Sequence, residues 1–324
     1  NVSEDQASQY LKECCRREGI EINANTIKNW FSVAGPKKGG RSRELMLRVA
    51  FALRLNVAQT NLLFQKVYLD RGLYPRRFEE YTAEFCLKKG LGWADWQSIL
   101  KQYPCSTEQN DQTVYTRVLQ KELDNIENLA ELSEYLQKYS HNFSIQNKSA
   151  RAVLDDLLRK VKGNSAGTGE VDQEIAESDN LQELLRGRPH DTNEAMVQVI
   201  TNRRPEAKDN GKNARAILAG SILPHEIRTN FPEAAVFSKR HLSYEELRKM
   251  IVLLGSYYLW RQEARSGKLL DLDQYVSEMD DRLSEAGLAP LYYGNPFDWM
   301  FLFSAKEDNH LDCFRGILAE ALDT

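Results

Sequence analysis

At 324 residues the chain exceeds the usual single-domain size, so two domains are expected, and 42% hydrophobic against 28% charged residues leaves enough apolar surface for real cores. No apolar run approaches the ~18 residues of a membrane span, and the start at Asn1 offers neither a basic n-region nor an apolar h-region, so a cytoplasmic protein with no membrane partner is expected. The net charge of −4 does not advertise a nucleic-acid partner, and the five scattered cysteines (Cys14, Cys15, Cys86, Cys105 and Cys313) fit buried thiols better than a disulfide framework.

Helical spacing recurs along nearly the whole chain and alternating strand patterns are scarce, so the expected class is all-α. Gln6 to Glu18 reads as a helix stopped by Gly19, and Asn25 to Ala34 as a short second helix capped by Asn25 and stopped by Gly35-Pro36. Helices follow over Arg41 to Leu55, begun at Ser42 with Leu45, Val49 and Ala52 inward, then Val57 to Asp70, Arg76 to Lys89 and Trp93 to Tyr103. Thr113 to Tyr139 and Ser149 to Val161 come next. The spacing thus predicts an N-terminal helix-turn-helix-like bundle (1–104), connecting helices (105–161), a polar linker (162–212) and a C-terminal helical domain (213–324).

An internal echo joins the two ends. Leu73-Tyr74-Pro75-Arg76-Arg77-Phe78-Glu79-Glu80 and Leu291-Tyr292-Tyr293-Gly294-Asn295-Pro296-Phe297-Asp298 each run from Leu-Tyr through a turn with Pro to Phe-acidic, with a gap needed to align them.

Between Thr26 and Arg54, seven basic residues (Lys28, Lys37, Lys38, Arg41, Arg43, Arg48 and Arg54) stand against Glu44 alone, about +6 inside a net-negative chain. A phosphate backbone rewards such a cluster through counterion release, whatever its base sequence. Ile27, Trp30 and Phe31 fall at i, i+3 and i+4 and anchor a short helix, leaving Asn25, Thr26, Lys28 and Asn29 to a partner. The first residues of a recognition helix reach base edges, where Asn suits adenine and Lys suits guanine. Lys37, Lys38, Arg41 and Arg43 lie in or beside a Gly-rich loop suited to phosphates, and the next helix start adds its amides.

Asn23-Ala24-Asn25-Thr26-Ile27-Lys28-Asn29-Trp30-Phe31, a basic loop, then Arg43-Glu44-Leu45-Met46-Leu47-Arg48-Val49-Ala50-Phe51-Ala52-Leu53-Arg54-Leu55-Asn56-Val57-Ala58-Gln59-Thr60 resembles the later half of the phage-repressor-type (XRE-like) helix-turn-helix domain. That family carries a recognition helix, a short loop, and a helix reading leucine-x-x-valine-alanine-x-alanine-leucine followed by asn-val-x-x-thr. The resemblance implies that Thr26, Lys28 and Asn29 lie on the exposed face of the recognition helix, and that Ile27, Trp30, Val49, Ala52 and Leu55 form a small core. The extension through Leu73 to Leu87 is similar to multi-helical bacterial proteins that carry such a domain, chiefly from gut Firmicutes. Two departures stand out: only one helix, rather than two, precedes the recognition helix, and the loop Gly35 to Gly40 is rich in Gly and Lys.

Arg186-Gly187-Arg188-Pro189 matches the core of an AT-hook, although Gly-Arg-Pro is equally an ordinary turn. No phosphate-binding loop, nucleophile–base pair or histidine cluster with metal-ligand spacing is evident, so neither an enzyme nor a cofactor is expected. The expected function is a DNA-binding regulator that contacts duplex DNA through its N-terminal helix-turn-helix, with a C-terminal helical domain that dimerises or senses a partner through its aromatic helices. The alternative is a helical protein-interaction adaptor with a degenerate helix-turn-helix.

Overall fold

The computed structural model describes residues 4–31, 42–103, 116–139, 143, 146–162, 169–187, 192–201, 227, 231–239 and 242–322. Among them are sixteen α-helices, one π-helical turn and one 3₁₀ turn, with no strand, so the all-α expectation holds. The chain divides into two compact units, Asn1–Ile145 and Gln146–Thr324.

The first unit begins with α1 (Glu4–Arg17), whose Leu11, Cys14 and Cys15 turn inward at helical spacing. Gly19, at φ +67, ends it by letting the Ile20 N–H return to the Cys15 carbonyl at 2.8 Å. Next come α2 (Ala24–Trp30), α3 (Arg43–Ala52) and α4 (Val57–Leu63), the last running directly into a π turn at Phe64–Tyr68. Ser42 caps α3 by accepting from the Leu45 N–H, and Asn56 caps α4 in a reciprocal box with Gln59.

The helix expected over Val57 to Asp70 is therefore broken, and Leu69 closes the π turn at φ +60, a conformation uncommon for a side chain of its bulk. α5 (Phe78–Lys89) and α6 (Trp93–Gln102) complete the core around α3. Trp96 is buried, with its ring stacked 5.2 Å from that of Phe51 and its indole N–H donating to Thr82 Oγ1 at 3.0 Å. Burying one large apolar side chain stabilises by roughly 1.5–3 kcal/mol, so these aromatics outweigh any single cap. α7 (Thr116–Asn125) and α8 (Leu129–Tyr139) replace the single helix expected from Thr113 to Tyr139. Asn128 caps the second of them by accepting from the Glu131 N–H.

The second unit comprises α9 (Gln146–Lys162), α10 (Glu170–Glu177), α11 (Asp179–Leu184), α12 (Asn193–Thr201), a 3₁₀ turn (Ala234–Ser238), α13 (Tyr244–Ser266), α14 (Leu272–Glu285), α15 (Pro296–Ser304) and α16 (His310–Leu322). The expected polar linker thus contains three helices. Val171, Ile175, Leu181, Leu185, Met196, Val199 and Ile200 are buried in the unit's core. Their apolar residues are few because each helix buries one side only, so average polarity hid a periodic stripe. The unit boundary accordingly falls before α9.

The organising element of this unit is α13. Helices α9, α14, α15 and α16 all pack on it, so it is buried on nearly every side and shows little amphipathic contrast. The C-terminal aromatic residues close around it: Trp260 stacks on Tyr275 and Phe301, and Phe301 stacks on Phe314 at 5.1 Å. Of the C-terminal aromatic residues, Phe297 and Phe301 are buried, Tyr292, Trp299 and Phe303 are half-buried, and Tyr293 is exposed.

Candidate nucleic-acid interface

α2 begins earlier than expected. Asn23, not Asn25, is its cap, and its side chain accepts from the Asn25 N–H at 2.8 Å. That start places Ile27 in the core, Asn25 and Lys28 on the exposed side, and Thr26, Asn29 and Trp30 at half-buried positions. The orientation is the one a short helix needs if its first turn is to present polar side chains outward. Val49 and Ala52 are buried with Ile27, while Leu55 is half-buried.

The other expected contacts divide sharply. Lys37, Lys38 and Arg41 lie outside the described residues. Arg43 is 2% exposed and is no surface contact at all. Its Nε and Nη2 donate to the two carboxylate oxygens of Glu80, each at 2.7 Å, and its remaining donors go to Asp70, the Arg71 carbonyl and the Gly72 carbonyl. The guanidinium also lies 4.4 Å from the centre of the Phe64 ring. Reading Arg43 as a phosphate contact is thus corrected. In the first turn of a helix inside a basic run, nothing local distinguishes a buried arginine from an exposed one.

Arg48 pairs with Glu44 and donates to the Glu21 carbonyl, and Arg54 pairs with Glu18 at 2.8 Å. Of the four described cations in the cluster, three are therefore engaged with acids, and the local charge is smaller than the sequence count suggests.

The Arg43–Glu80 arrangement occurs twice. In the second unit Arg248 donates to both carboxylate oxygens of Asp298, at 2.8 and 2.7 Å, and to the carbonyls of Ala289 and Pro290. Glu80 accepts from the N–H of Tyr74, six residues back, and Asp298 accepts from that of Tyr292, also six residues back. The two carbonyls that each arginine takes lie nine and eight residues before the carboxylate in both units. Leu73 and Leu291 donate their N–H to Asn61 and Asp280, one element earlier. The echo seen in sequence is therefore gapless in three dimensions, with Leu73 on Leu291, Tyr74 on Tyr292 and Glu80 on Asp298. A gap was needed because the echo matched Phe78-Glu79 to Phe297-Asp298 and the prolines stand at different points of the turn, whereas the carboxylate equivalent to Asp298 is Glu80. The two arginines went unrecognised because each lies on an earlier helix, well outside the echoed segment.

Burial alone would push the Glu80 carboxyl up. The charges of Arg43 and Arg77, with hydrogen bonds from Arg43 and the Tyr74 amide, outweigh it and hold the group below the ordinary glutamate range. The four described cysteines, Cys14, Cys15, Cys86 and Cys313, are free and buried; burial pushes the Cys86 thiol up to about 12 and that of Cys313 to about 11. Arg186 is exposed and Gly187 turns at φ +77 directly after α11, the ordinary-turn reading of that motif rather than an extended hook; Arg188 and Pro189 lie outside the described residues.

Among the described residues no group of three or more His, Cys, Asp or Glu gathers as a metal site, and no helix is long and apolar enough to cross a membrane. The fold and the paired clasps define an all-α protein of two helical units that share one buried arginine–carboxylate arrangement, and the second unit adds a further buried pair, Arg315–Glu174. No protein-family model, curated protein or solved structure matches the chain.

Proposed function

We propose that the first unit binds duplex DNA through α2 and that the chain is a DNA-binding regulator. The observation that carries this reading is the setting of α2: a side-chain-capped helix anchored by buried Ile27, with Asn25 and Lys28 exposed in its first two turns. Asn25, Thr26, Lys28 and Asn29 supply donors and acceptors for base edges, and Lys37, Lys38 and Arg41 supply phosphate contacts. Arg43 takes no part in contact; it ties the start of α3 to Glu80 and to the turn before α5. The second unit, with its core closed around α13, serves in this reading as the dimerising or partner-sensing part.

Fluorescence anisotropy with a labelled random duplex across salt tests the proposal. Expected is binding whose logarithm falls linearly with the logarithm of salt concentration. The slope should shrink by about one for each of Lys28, Lys37, Lys38 and Arg41 replaced by alanine. Absence of binding at low salt, or an unchanged slope in the quadruple variant, contradicts it.

A further inference from the structure

The first unit holds a half-open cavity of about 900 Å³ walled by Tyr10 and Leu11 of α1, Trp30 and Phe31 at the end of α2, and Met46 and Val49 of α3. Val67 of the π turn closes a further side, and Gln6 stands at the α1 wall. Among the described lining residues none carries a charge; their polar groups are the Gln6 amide, the Tyr10 hydroxyl and the Trp30 indole N–H. A volume of this size, apolar walls and a few polar groups are the attributes of small-molecule sites.

The second unit supplies the comparison. Counted from the clasp arginine, Met46 and Val49 (three and six residues after Arg43) correspond to Ile251 and Leu254 (three and six after Arg248). Ile251 and Leu254 are fully buried, and α9 lies along both α13 and α14 with Leu154, Leu157 and Val161 in the core. Met46 and Val49 are buried as well, at 2% and 5% exposed, so the two units differ here in the neighbouring element: α14 is a regular α-helix, whereas α4 runs into a π turn ending at left-handed Leu69. The distortion lies beside the cavity, and one of its residues, Val67, lines it. Irregular turns of this kind concentrate at functional sites.

We propose that this cavity is a binding site for a neutral, largely apolar small molecule of roughly drug size. The uncharged side chains of the described walls disfavour carboxylates and ammonium ions, which would lose hydration against them with no partner. A flat aromatic or alicyclic body fits against Trp30, Phe31 and Met46, with one hydroxyl, amide or carbonyl group directed to Gln6. The inference rests on the cavity and the comparison of the two units, and it is independent of the DNA reading.

Titration of the full chain with N-phenyl-1-naphthylamine, a neutral apolar fluorophore, tests it. Expected is one saturable site per chain with enhanced, blue-shifted emission, and a melting temperature that rises with probe concentration. Filling the cavity from α3 by Val49→Trp, or from α1 by Ala7→Trp, a further lining residue, is expected to weaken binding at least tenfold. Leu269→Trp, an exposed position of the second unit, should leave it unchanged. Ala7 is only half-buried, so its variant decides the matter if Val49→Trp fails to fold. Unsaturable emission, or wild-type binding by a folded Ala7→Trp chain, overturns the proposal.

Discussion

At the scale of single residues, the decisive groups are two arginines that would ordinarily be assigned to the surface. Arg43 and Arg248 each satisfy a buried carboxylate and two backbone carbonyls, so each removal strands several partners at once. Arg43→Ala is expected to destabilise the first unit by about 3–5 kcal/mol, the cost of leaving a buried charge uncompensated, and urea denaturation measures it. Arg43→Lys should recover little, because an ammonium cannot reproduce the two-pronged contact with Glu80.

The pH dependence follows from the same pair. Glu80 has a folded pKa below its unfolded value, so its contribution is fully present above about pH 4.3 and is lost as pH falls through the depressed folded value. Glu80→Gln should remove that segment of the acid unfolding curve; an unchanged curve would contradict the assignment. The buried thiols give a second check at this scale. Cys14, Cys15, Cys86 and Cys313 should react with a thiol reagent only after denaturation.

At the scale of elements, most helices were legible from apolar spacing, while their ends and interruptions were not. Ser42 and Gly19 act as the sequence suggested, because a cap is a local matter. The π turn at Phe64–Tyr68 was invisible, since no local breaker marks it; its Phe64 and Tyr68 rings lie against the Arg43 guanidinium, which is distant in sequence. Helices α10 and α11 were missed for the opposite reason, their periodicity being real but carried by few residues, whereas α12 matches the one modest helix expected around Ala195 to Ile200. Of the candidate interface, Ile27 as anchor and Lys28 as exposed residue were readable. The burial of Arg43 was not, because its partner lies 37 residues away. The cap of α2 offers a test: Asn23→Ala should cost about 1 kcal/mol and loosen a helix of only seven residues. Under the DNA reading it should also weaken duplex binding without changing its salt slope.

At the scale of the whole molecule, the chain consists of two units whose cores are separate clusters, each with its own clasp. Arg43→Ala and Arg248→Ala are therefore expected to shift different parts of a denaturation profile followed by site-specific probes, with Trp96 reporting on the first unit and Trp260 on the second. The net charge of −4 and the engagement of Arg48 and Arg54 with acids leave the attraction for phosphate, in the proposed reading, to Lys28, Lys37, Lys38 and Arg41. The proposed DNA affinity then comes from a small area around α2. Hydrogen exchange of the full chain with and without a 20-base-pair duplex reads that area directly. The expected result is slowed exchange confined to the segment from Asn23 to Arg43, with the second unit unchanged. Slowed exchange elsewhere, or none at saturating duplex and low salt, would contradict the assignment of α2 as the nucleic-acid contact.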